Sequence, residues 1–130
     1  MQFVPTRFHA AIDYLVALTL ILAGPVLGYA GGGAETWGAV AAAIVVTVYS
    51  LLTNYEWGLL RRIPVPVHLA LDLLTGILLA ASPWLLGFGD EVRVPHAAAG
   101  AVLIAASLTT HPRPFGLEHP AQLLIQRSSS

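Results

Sequence analysis

The amino-acid sequence predicts an all-α membrane protein, with four transmembrane helices built from two parallel two-helix repeats and both termini cytoplasmic. Three observations lead there. Of 130 residues, 56% are hydrophobic and only 10% charged, with a mean hydropathy of +0.74, far outside the composition of soluble domains. Four apolar stretches, residues 9–30, 37–54, 66–88 and 94–110, are each long enough to cross a hydrocarbon core of ~30 Å as a helix. The first half of the chain can also be laid over the second.

The first stretch follows "MQFVPTRFHAAIDYLVALTLILAG", where a basic residue precedes an apolar run. That run is too long for a signal h-region, and Asp13 and Tyr14 interrupt it, so a retained helix is expected. The second stretch begins after the loop "GGGAET" and ends at Asn54; the third runs from His68 toward Phe88. The fourth, "VPHAAAGAVLIAASLTT", is rich in small residues. Ala97, Ala101 and Ala105 form a small-xxx-small face, and Gly38 and Ala42 have the same spacing on the second helix, so close helix contact is expected.

Connections are short, so residues 1–130 are expected to form one transmembrane domain, with repeat 1 at about 7–56 and repeat 2 at about 66–111. Residues 112–130 are expected to be a cytoplasmic tail. It breaks at Pro112, Pro114 and Pro120 and carries "AQLLIQR", a short amphipathic piece suited to the membrane surface, with His119 and Glu118 solvated. Arg7, Arg61, Arg62, Arg113 and Arg127 fall on one side of the four spans and only Arg93 on the other. The positive-inside rule then places both termini in the cytoplasm of a prokaryotic cell, the protein crossing its inner membrane. Tyr29, Trp37, Trp84 and Phe88 fall at the outer interface, and Phe8, Tyr55 and Trp57 at the inner one.

Several chemistries are excluded by composition. There is no cysteine, hence no disulfide, thiol catalysis or thiolate metal site, and no lysine, hence no Schiff base. A net charge of −1 indicates neither a nucleic-acid binder nor a polybasic lipid clamp.

The repeat is explicit in the first helix of each half. "HAAIDYLVALTLILAGPVLGY" aligns with "HLALDLLTGILLAASPWLLGF", matching His9 with His68, Asp13 with Asp72, Pro25 with Pro83 after a one-residue gap, and Tyr29 with Phe88. The second helices match through "SLLTN" (Ser50 to Asn54) and "SLTTH" (Ser107 to His111). Each half crosses twice, so the halves are related by a pseudo-twofold axis along the membrane normal, and matched positions should face one another.

The segment "ASPWLLGF" (Ala81 to Phe88) resembles the signature of the SPW-repeat family, small prokaryotic membrane proteins with a Ser-Pro-Trp motif in the first helix of each two-helix unit. The resemblance spans residues 7 to 111 and implies this fold and topology rather than an activity. The first unit reads "AGPVLGY", with Gly24 and Val26 where Ser82 and Trp84 stand. A proline inside a helix removes one backbone donor and frees the carbonyl four residues earlier, here that of Leu79. Ser82 is placed to compensate locally, and Trp84 to anchor the helix at the headgroups. Ser82, Pro83, Trp84 and Pro25 are thus read as kink and interfacial anchor.

His9 and Asp13, like His68 and Asp72, lie four residues apart and so share a helix face, each aspartate about 6 Å deeper than its histidine. An intramembrane aspartate costs up to about 2.5–3.5 kcal/mol on insertion scales and is expected to be paired. With Asn54 and His111 closing the second helices, the inner end gathers His9, Asp13, His68, Asp72, Asn54 and His111 as a candidate polar cluster, while His96 belongs to the outer side. One reading is helix glue, each aspartate bonding its histidine, Tyr14 or Tyr55, or pairing with Arg7, Arg61 or Arg62. Others are a metal or haem site, a quinone or lipid-headgroup site, and a proton or small-ion path. The absence of an extramembrane domain, catalytic motif or polar path favours a structural or accessory membrane protein rather than an enzyme, in a homo-oligomer or larger membrane complex.

Overall fold

The computed structural model describes residues 2–88 and 90–112, and within them four helices: α1 (Thr6–Leu27), α2 (Ala34–Leu52), α3 (Val65–Leu85) and α4 (Asp90–Thr109). All four are long and apolar enough to cross a membrane. No named strand occurs among the described residues, so the chain is an all-α membrane bundle. The tail segment "AQLLIQR" and Arg113, Arg127, Glu118 and His119 lie outside the described residues.

Each helix starts a little earlier than apolarity alone suggests, because the start signals are conformational. Pro5 and Pro64, both with extended ψ (147° and 145°), precede α1 and α3 in the role of N-cap, and Pro66 sits in the first turn of α3, where its missing N–H costs nothing. Gly28, at φ 81°, ends α1 in the left-handed conformation that glycine adopts without strain. Pro25 and Pro83 lie inside the last turn of α1 and α3, two residues before each helix ends. The Ser82 hydroxyl donates to the Leu79 carbonyl at 2.7 Å, the group that Pro83 frees. Trp84 is 63% exposed, and the Arg93 guanidinium lies 5.9 Å from its ring centre.

The helices form a ring in which α1 touches α2, α2 touches α3, α3 touches α4 and α4 touches α1. Within each repeat the two helices pack more closely than across repeats, and α3 with α4 most closely of all. Glycine explains the difference. A Cβ on Gly100 would stand 2.5 Å from the Gly76 carbonyl oxygen, and one on Gly76 would stand 2.9 Å from that of Gly100. Ala17 and Ala43 occupy the matching positions of the first repeat, both buried. The contact face of α4 is thus drawn through Gly100, Leu103 and Ala106, whereas Ala101 and Ala105 are exposed.

The interior is layered. Val16, Ala17, Leu20, Ala39, Ala43, Val46, Leu79, Ala99 and Leu103 form an apolar middle, while Leu15, Leu18, Leu74, Leu78 and many other large aliphatic side chains point outward, as a lipid solvent allows. At one end lies His96, wholly buried beside Tyr29 and Phe88, its ring nitrogens 3.0 Å from the carbonyl oxygens of Val92 and Glu35. At the other end, where the chain begins and α2 turns into α3, the remaining polar groups collect.

Candidate functional site

This polar end is built twice by the same backbone device. After α2 the chain forms a parallel bridge between Thr53 and Ile63, and after α4 another between Thr110 and Val4. Asn54 N–H donates to the Ile63 carbonyl at 2.8 Å, and His111 N–H to the Val4 carbonyl at 3.0 Å. Arg62 and Ile63 donate to Leu52, as Phe3 and Val4 donate to Thr109. Matched residues make matched bonds, so the end of each repeat grips the start of the other. Satisfying these groups internally matters near a bilayer, where an open backbone group has no water to bond.

Inside that frame four side chains meet. His9 and Asp13 from α1 and His68 and Asp72 from α3 are all at most 1% exposed and fill the axis between two helices that are diagonal in the ring. Their contacts cross. His9 Nε2 lies 2.6 Å from Asp72 Oδ2 and His68 Nε2 lies 3.0 Å from Asp13 Oδ2. The contacts within a helix are 3.4 Å for His9 with Asp13 and 3.0 Å for His68 with Asp72. Among the described residues, charged partners of the two aspartates are these histidines, and the arginines at this end do not join them.

Threonines orient the rings. The Thr53 hydroxyl donates to the Tyr49 carbonyl and the Thr110 hydroxyl to that of Ala106, both at 2.6 Å. Each hydroxyl has one proton, so its oxygen accepts from the imidazole beside it: His68 Nδ1 at 2.8 Å from Thr53 Oγ1, and His9 Nδ1 at 2.8 Å from Thr110 Oγ1. Nδ1–H is thereby committed in both rings and both Nε2 atoms point inward, 3.2 Å from each other.

The carboxylates are supported less evenly. Tyr49 donates to Asp72 Oδ1, whereas Asp13 Oδ2, beyond its contact with His68, receives the hydroxyls of Ser50 and Tyr55 at the longer distance of 3.4 Å. Asp13 Oδ1 is buried without a hydrogen-bond partner. Tyr55, in the connection between α2 and α3, has its phenol pushed above the ordinary range by burial and by the charge of Asp13, so it remains a donor. Outside the cluster, the Thr6 hydroxyl bonds the Glu56 carboxylate at 2.7 Å, which sets an anion over the start of α1.

Of the six residues expected together, four converge. Asn54 and His111 contribute backbone N–H groups to the frame, and among the described residues neither side chain bonds the cluster. Thr53 and Thr110, one residue earlier, take the inward position. Their signal was already in the repeat, since both occupy the fourth place of "SLLTN" and "SLTTH".

A family model described as the SPW repeat domain matches residues 7–110. The chain belongs to the SPW repeat family. Comparison with curated proteins and with solved structures finds no match. The match takes in all four residues of the cluster and both threonines that orient its rings, Thr110 being its last position. In this SPW repeat protein the Ser-Pro-Trp motif and the His-Asp cluster lie at opposite ends of α3, so the residues that give the family its name stand apart from the buried polar site.

Proposed function

We propose that this SPW repeat protein is a structural or accessory component of the prokaryotic inner membrane, working in a homo-oligomer or a larger membrane complex, with the crossed His-Asp cluster as the lock that holds its two repeats together. One observation carries the reading: each aspartate bonds the histidine of the other repeat, closing the bundle axis with four fully buried side chains. A lock of this kind specifies register, the best-attested use of buried polar groups. Arg7, Arg61 and Arg62 at the cluster end, against Arg93 at the other, support a cytoplasmic placement of that end.

The geometry favours the lock over the other uses of the same residues. Axial histidines on one haem iron would need nitrogens about 4 Å apart with a ring slotted between them, at bonds of about 2 Å; here they are 3.2 Å apart with carboxylate oxygens filling the space. A quinone needs an apolar cleft beside its polar partners. Grooves do open between α1 and α4 and between α2 and α3, about 680 and 360 Å³, yet neither is lined by a cluster residue. A transport path would have to continue past the cluster through the apolar layer of Val16, Leu20, Val46 and Leu103.

The test is the assembly state of the full chain extracted into lipid nanodiscs, together with recovery of co-purifying subunits. An oligomer or a defined complex is expected. A stable monomer with no partner counts against the accessory role, and a proton-coupled current abolished by His9→Ala and by Asp72→Asn would replace it with transport.

A further inference from the structure

We propose that the four side chains of the lock hold one first-row divalent metal ion, with Zn²⁺ the ion that best suits a closed site of two imidazoles and two carboxylates. The proposal rests on the reading of the cluster as a structural lock and names what completes it.

Four observations carry it. First, both Nδ1–H groups are committed to Thr53 and Thr110, so the two Nε2 atoms face one another at 3.2 Å, and once both rings are neutral their lone pairs repel until a cation lies between them. Second, two carboxylates complete the set: protons on the two Nε2 atoms balance them in the metal-free lock, and when a metal displaces those protons the neutral imidazoles and carboxylates carry a charge of −2 with no other charged partner among the described residues. A single divalent ion neutralises it, and a net charge left in the membrane interior is costly. Third, a four-coordinate ion with bonds of about 2.0–2.2 Å needs ligand atoms about 3.3 Å apart. The nitrogen–nitrogen and nitrogen–oxygen separations run from 2.6 to 3.4 Å, with Asp13 counted through Oδ1 toward His9 and Oδ2 toward His68, and one ligand atom from each residue lies within 4.8 Å of the others, so the pocket has the scale of such a site once the 2.6 Å His9–Asp72 contact opens. Fourth, Asp13 Oδ1, fully buried and 3.4 Å from His9 Nε2, has no hydrogen-bond partner, as expected of an oxygen reserved for an ion.

The surroundings match those of a metal site. Thr53 and Thr110 fix both rings, Tyr49 supports Asp72, and Ser50 and Tyr55 stand beside Asp13. Four protein ligands leave no open position, so the ion staples α1 to α3 and does not activate a substrate.

The full chain, produced in medium containing Mn²⁺, Fe²⁺ and Zn²⁺ and again in Zn²⁺-depleted medium, is purified in detergent and analysed for metal. About one equivalent per chain is expected in the first case, with a higher melting temperature than metal-depleted protein. Thr53→Val and Thr110→Val keep all four ligands and are expected to weaken Zn²⁺ binding about 10- to 100-fold in an indicator competition. Wild-type protein that carries no metal from replete medium overturns the site, and so does equal metal in the Asp13→Asn/Asp72→Asn double variant. If metal is absent while His9→Ala still lowers the melting temperature, the metal falls and the lock stands.

Discussion

His9 Nε2 lies 2.6 Å from Asp72 Oδ2, 63 residues away and in the other repeat, whereas the aspartate on its own helix face, Asp13, is 3.4 Å away. The cross-repeat contact is the shorter one for His9, whereas His68 lies 3.0 Å from both Asp13 Oδ2 across the axis and Asp72 Oδ2 on its own helix. Asp72 also faces His68 and takes the Tyr49 hydroxyl, so it is the more heavily used carboxylate.

Asp72→Asn is therefore expected to destabilise the bundle more than Asp13→Asn does. Removing one partner of a buried pair costs about 3–5 kcal/mol, and the Asp72 variant belongs in that range. Unfolding titrations of both variants in mixed micelles give the order directly, and equal losses would contradict the uneven support of the two carboxylates.

Thr53→Val and Thr110→Val should have nearly equal effects. Each strands one imidazole N–H in a buried setting, a loss of about 1–3 kcal/mol, and the two sites make the same bonds at the same lengths. Thermal melts of the two single variants check the equality, which follows from the pseudo-twofold axis.

Gly76→Ala and Gly100→Ala are expected to destabilise by about 1–3 kcal/mol through overpacking, because each added Cβ would meet backbone of the facing helix. The reverse changes in the first repeat, Ala17→Gly and Ala43→Gly, meet no such obstacle and should act by loss of packing together with the helix penalty of glycine, about 1 kcal/mol. Melting temperatures of the four variants separate the two cases: clash makes the second repeat the more sensitive.

Stability should fall as pH rises above 10.0, the ordinary value for a tyrosine. Burial raises the folded-state value of Tyr55, so between the unfolded and folded values the unfolded chain loses a proton that the folded chain keeps, and folding weakens. The contribution is complete below 10.0 and is lost as pH climbs toward the folded value. Melting curves of wild type and Tyr55→Phe across this window should converge at high pH, the variant showing the shallower slope.

Much of this architecture was legible in the residues. Four spans, two repeats and the pairing of His9 with His68 and Asp13 with Asp72 follow from apolar run length and from direct alignment, because helices in lipid must satisfy their own backbone and carry their apolarity in the sequence. Helix starts were less legible: Pro5 and Pro64 set them by backbone conformation, which a count of apolar residues does not register. Asn54 and His111 illustrate a different limit. Helical spacing places them at the right end, but the chain leaves the helix at Thr53 and Thr110, and a one-residue difference decides which side chain turns inward.

The sequence by itself determined that polar residues would gather at one end of the bundle and that they would come in matched pairs. Only the tertiary structure decided that the pairs cross, that threonines commit both Nδ1 atoms, and that two ring nitrogens and two carboxylates converge on one point. The physical reason is that spacing along a helix sets which residues share a face, whereas the partner of a buried charge depends on how four separate helices pack, and that packing is set here by close approach at Gly76 and Gly100 and by the backbone bridges at Val4 and Ile63.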